Sequence, residues 1–155
     1  LVQVAAAQCD SVPEDFVLED VQDYVNEEVR AFQVISCLLF NSADLDTETF
    51  EKAMAYSIIW IGGTPNYKVQ VKTDIAEFIK EEPELLYPYI LALTLALRDF
   101  PSSTFEELES EAINYLFLHY TENGSYLKSK SLEKMYRKYK KGKLKSYLIS
   151  LRKKR

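Results

Sequence analysis

The stretch FVLEDVQDYVNEEVRAFQVISCLLF, Phe16 to Phe40, decides how this chain is read. Val17, Val21, Tyr24/Val25, Val29, Phe32, Ile35/Ser36 and Leu39 recur at steps of three and four, the period of one helix face. The second half, AFQVISCLLF, is apolar nearly all round and belongs at the centre of a core. The helix is expected to start near SVPEDF, with Ser11 as cap, Pro13 early and Glu14 reaching back to the cap. On that reading the valines from Val17 to Val29 face inward.

Working outward, NSADLD breaks the pattern, and Asp46 or Thr47 caps a second helix. Phe50, Ala53/Met54, Ser57/Ile58 and Ile61 form its buried side, and Gly62-Gly63 with Pro65 stop it. YKVQVK (Tyr67 to Lys72) alternates with a period of two. With no partner strand in sight it reads as an extended connector. Asp74 and Glu77 make the capping box of a short helix that ends at Pro83. LLYPYILALTLAL (Leu85 to Leu97) then gives a buried helix over about 84–98; its 13 residues fall short of the ~18 of a membrane span. Ser103 with Glu106 caps a further helix carrying Phe105, Leu108, Ala112, Tyr115/Leu116 and His119 on one face, and ENGS (Glu122 to Ser125) turns the chain. The triplet TFE at Thr49–Glu51 returns at Thr104–Glu106, a match too shallow to read as a repeat.

The fold class that follows is all-α: a single bundle of about six helices, with a short extended connector near 67–72 and a kinked, basic, amphipathic C-terminal helix. Only four Gly and five Pro among 155 residues agree with helices, and 47% hydrophobic residues suffice for a core. Cys9 and Cys37 are too few for a disulfide framework and too far apart for a zinc motif, so a reducing, intracellular setting is expected, cytoplasmic or nuclear if the cell is eukaryotic. The chain opens on Leu1, which reads as a fragment or processed product. VAAAQ (Val4 to Gln8) has no charged or apolar region before it and is not read as a signal peptide.

The net charge of −5 conceals a sharp division. Lys128 to Arg155 hold 13 basic residues and one acid, Glu133, for +12; residues 1–127 carry −17. The organisation expected is thus an acidic helical core over 1–127 and a basic helical extension over 128–155, packed on that core. Within the extension, Leu132, Met135, Tyr136 and Tyr139 lie at i, i+3, i+4, i+7, and Leu144, Tyr147, Leu148 and Leu151 repeat the spacing. The 12-residue offset turns the second stripe by about 120° on a straight helix. Gly142 lies between the two stripes and predicts a break there.

Catalytic motifs are missing from the sequence. It has no GxGxxG and no GxxxxGK[ST], and Gly62-Gly63 suit a helix stop better than a phosphate cradle. Asp44, Asp46 and Glu48 begin like a calcium loop, but Thr49 stands at the sixth position and Ala55 at the twelfth. His119, the one histidine, ends an apolar stripe and reads as structural. Glu107 and Glu111, with Glu109 alongside, repel one another and invite a basic partner.

The function expected is non-enzymatic: a binding or adaptor protein that contacts a polyanion, nucleic acid first, with no cofactor and no metal. Arg137, Lys138, Lys140, Lys141, Lys143, Lys145, Arg152, Lys153, Lys154 and Arg155 are the candidate phosphate contacts, and Tyr136, Tyr139 and Tyr147 stack on bases where they are not buried. Lys140-Lys141 and Arg152 to Arg155 also have the spacing of a bipartite nuclear import signal. The alternative is a protein-interaction module of inhibitor or immunity type, whose acidic face, Glu107 and Glu111 included, recognises a basic partner.

Overall fold

Asp20 and Asp23 open the helix that begins at Val21, about two turns later than the sequence pattern predicts. The Asp23 N–H donates to Asp20 Oδ1 at 3.0 Å, while Asp23 Oδ2 accepts from the Asp20 and Glu19 N–H groups at 3.1 and 3.0 Å. This reciprocal box satisfies the orphan donors of a helix start and closes the helix on its N-terminal side. The computed structural model of the protein describes residues 9–42, 45–72, 83–122 and 130–153. They contain seven α-helices and no strand, and the fold is all-α. Residues near Ser11 and Glu14 form turns, not a helix.

The chain divides into two compact units, residues 1–69 and 70–155, and the division falls inside the extended connector. The first unit holds α1 (Val21–Asn26), α2 (Glu28–Asn41) and α3 (Thr47–Gly63). α2 buries Ala31, Phe32, Val34, Ile35, Cys37, Leu38 and Leu39; α1 buries nothing. Val17, Val21, Val25 and Val29, expected inside, are exposed. The reason lies in how the joint between α1 and α2 is pinned. Trp60 Nε1 donates to the Tyr24 carbonyl at 2.9 Å, and the Tyr56 hydroxyl donates to Glu27 Oε2 at 2.7 Å. Both bonds hold the Tyr24–Glu27 side against α3 and turn the valines outward.

Asp46 caps α3, accepting from the Thr49 N–H at 2.7 Å. The buried side of α3 is Ala53, Tyr56, Ser57 and Trp60, rotated from the one expected, so that Phe50 is exposed. Phe32, Trp60 and Tyr67 make a cluster of ring contacts, with centroids 5.0 Å apart for Phe32–Tyr67 and 5.3 Å for Phe32–Trp60. Cys9 and Cys37 are joined, with Cα atoms 5.6 Å apart. The cysteine count favours a reducing setting; a bonded pair leans the other way.

Gly62 and Gly63 make a paired test of this packing. A Cβ at Gly63 would run into the Tyr24 ring, whereas one at Gly62 would meet nothing. Gly63→Ala is therefore expected to destabilise the first unit by about 1–3 kcal/mol through overpacking. Gly62→Ala should stabilise it by about 0.5–1 kcal/mol through lost chain entropy. Urea denaturation of the two variants reads the opposite signs.

The described elements of the second unit are a 3₁₀ turn (Pro83–Leu85), α4 (Leu86–Asp99), α5 (Phe105–Glu122), α6 (Lys130–Lys140) and α7 (Leu144–Lys153). Pro88 fits within the first turn of α4, where its missing N–H has no partner to lose. α4 and α5 pack closely on one another, α4 burying Tyr89 and Leu91 to Ala96. The Tyr115 hydroxyl donates to Asp99 Oδ2 at 2.6 Å, and Arg98 Nε meets Asp99 Oδ1 at 2.8 Å. Burial first and the Asp99 carboxylate second push the Tyr115 phenol well above its ordinary value. The cap of α5 is Thr104 with Glu107, one residue beyond the expected Ser103 and Glu106. TFE thus sits at different cap positions in α3 and α5, as a coincidence would. The short helix expected from Asp74 and the ENGS turn from Asn123 onward lie outside the described residues, as does the His119 side chain.

Candidate polyanion-binding surface

α6 ends in a Schellman motif. The Lys143 N–H donates to the Lys138 carbonyl at 2.9 Å and the Gly142 N–H to the Tyr139 carbonyl at 3.0 Å, with Gly142 at φ +68°. Only glycine takes that conformation freely, so the predicted break at Gly142 has a definite cause. The 120° offset of the two stripes is absorbed there, and α7 packs against both α5 and α6. Leu132, Met135, Leu144 and Leu148 are buried. Tyr136 and Tyr139 lie half-buried, each with its ring centroid 5.2 Å from that of Phe117 on α5.

With the apolar stripes turned onto α5, the cations face out. Arg137, Lys140, Lys141, Lys143, Lys145 and Lys153 are exposed, and Lys138 is half-buried. Arg137, Lys138 and Lys140 stand in the last turn of α6, where the partial negative charge of the helix end favours them. The side chain of Arg152, and all of Lys154 and Arg155, lie outside the described residues. The sequence reading missed Lys134. It and Lys138 sit over the Tyr147 ring at 5.7 and 5.8 Å, and Lys140 sits 4.7 Å over Tyr136. The tyrosines expected to stack on bases are thus engaged with Phe117 and with lysines. The helical spacing of these aromatics among lysines was the available signal.

Glu107, Glu109 and Glu111 of α5 part company. Glu107 Oε1 pairs with Lys145 Nζ at 3.3 Å, Glu111 accepts from Asn114 Nδ2 at 3.3 Å, and Glu109 is buried. The Thr104 N–H first, then the Lys145 ammonium, hold the Glu107 carboxyl below its ordinary range. A lowered folded pKa contributes stability above the unfolded value, about 4.3, and loses it as pH falls through the lower folded value. Glu107→Gln should therefore flatten the acid limb of the stability profile below about pH 4, measured by chemical denaturation across pH.

Among the described residues no group of three or more His, Cys, Asp or Glu side chains could hold a metal ion, and no helix is long and apolar enough to cross a membrane. No protein-family model matches the chain, and no curated protein or solved structure is found to be similar to it.

Proposed function

We propose that the protein is a non-enzymatic binding or adaptor protein whose basic C-terminal helices contact a polyanion, nucleic acid first. The observation that carries this reading is the outward array of Arg137, Lys140, Lys141, Lys143 and Lys153 on α6, α7 and the turn between them, where the helices' apolar faces are already buried. A helix spent in this way has no apolar face left to enter a lipid surface, which argues against a membrane-lying mode. The half-buried tyrosines leave phosphate contacts as the main source of affinity, so binding depends little on base sequence.

The alternative, recognition of a basic protein through Glu107 and Glu111, has less to stand on, since both carboxylates already have partners within α5 and α7. The Cys9–Cys37 bond favours a non-reducing setting over the intracellular one expected from the sequence. Alkylating thiols in cells separates the two: protected cysteines fit the bonded pair, and reactive ones a reducing compartment.

The direct test replaces Arg137, Lys140, Lys141, Lys143 and Lys153 together by Gln. These positions are exposed, so circular dichroism should be unchanged. Affinity for a labelled mixed-sequence duplex at low salt should fall by at least about 10²-fold. Unchanged affinity in the folded variant would overturn the proposal.

A further inference from the structure

Val17, Val21, Val25 and Val29 are 60%, 65%, 39% and 72% exposed. Val21, Val25 and Val29 follow at steps of four across α1 and the start of α2, where Glu27 keeps helical backbone angles at the joint. They form one line about 12 Å long, from the 1.5 Å rise per residue. β-branched residues are poor helix formers, so local propensity does not account for three of them on an outer face. Exposed aliphatic side chains in a continuous line mark a contact surface.

The surroundings of the line define its partner. Between Asp10 and Glu51 stand twelve acidic residues and a single basic one, Arg30. Arg30 is already paired with Glu27 at 3.4 Å. Glu19 and Asp20 are exposed immediately before Val21 in the chain, and Glu14 and Asp15 are exposed further upstream. Two copies meeting through this face would set acids against acids. The chain's own basic helices have their apolar stripes buried beside α5, so they cannot supply the occupant.

We infer that the line of Val21, Val25 and Val29 is a docking surface for a basic amphipathic helix of another protein. The partner helix lays leucine- or isoleucine-type residues at i, i+3, i+4 and i+7 along the valines and sets Lys or Arg against the flanking carboxylates. This surface is independent of the polyanion-binding helices. A protein carrying both would join a basic protein to a polyanion.

The test uses the full chain and three labelled peptides: a Leu/Lys amphipathic helix, a scramble of the same composition without an apolar face, and a Leu/Glu amphipathic helix. The first should bind at least about tenfold more tightly than the scramble, with affinity falling as salt rises, and the Leu/Glu peptide should not bind. Val21→Thr, Val25→Thr and Val29→Thr together keep side-chain shape and should abolish that preference, while Lys140→Gln and Lys141→Gln should leave it intact. Equal binding of the amphipathic and scrambled peptides overturns the inference. So does a threonine variant that binds like the parent, or a concentration-dependent dimer lost in the threonine variant.

Discussion

Ending the chain after Leu127 is expected to unfold the second unit, not merely to remove a tail. α6 and α7 bury Leu132, Met135, Leu144 and Leu148, and their tyrosines cover Phe117, which is fully buried. At about 1.5–3 kcal/mol for each buried side chain, four of them amount to roughly 6–12 kcal/mol as an upper bound. A whole domain is held by only about 5–15 kcal/mol. Amides of α4 and α5 should therefore lose hydrogen-exchange protection in the shortened chain. Leu148→Ala offers a milder version, expected to cost about 2–5 kcal/mol. Retained protection in the shortened chain would show that the basic helices ride on a core that is stable without them.

Breaking the disulfide is the second large effect. Cys9 and Cys37 are 28 residues apart, and both are buried. Closing a loop of that length restricts the unfolded chain by about 3–4 kcal/mol on the entropic account. Cys9→Ala with Cys37→Ala, or reduction of the native chain, should lower the melting temperature by on the order of 10–20 °C. The alanine pair is the cleaner probe, because serines would add hydroxyls at two buried positions. A melting temperature indifferent to reductant would mean the bond closes nothing that matters to stability.

These effects also show where sequence patterns reach and where they stop. The break at Gly142 was legible because two stripes offset by 12 residues cannot share one straight face, and glycine alone fits the resulting cap. Asp46 was legible as a cap for similarly local reasons. The valine line was misread, since a period of four identifies a helix face without saying what that face meets. The deciding bonds, Trp60 to Tyr24 and Tyr56 to Glu27, span 36 and 29 residues. Cys9 and Cys37 carry no pairing signal over their 28-residue separation. Glu109, beside two outward glutamates, gives no local hint that it is buried.

At the surface of α6 and α7, the charge was legible and its geometry was not. Counting lysines gives +12 without saying that Lys145 is tied to Glu107, or that Lys134 and Lys138 lie over the Tyr147 ring. The cations left facing outward set a definite expectation. Each phosphate contact on duplex DNA contributes about −0.9 to the slope of log affinity against log salt.

The measurement that tests this account most directly is that slope, taken for the full, folded chain on a mixed-sequence duplex. Four or five contacts from Arg137, Lys140, Lys141, Lys143 and Lys153 predict a slope of about −4, flatter when all five are Gln. A slope flatter than about −1, or one that the glutamine variant shares, would contradict it.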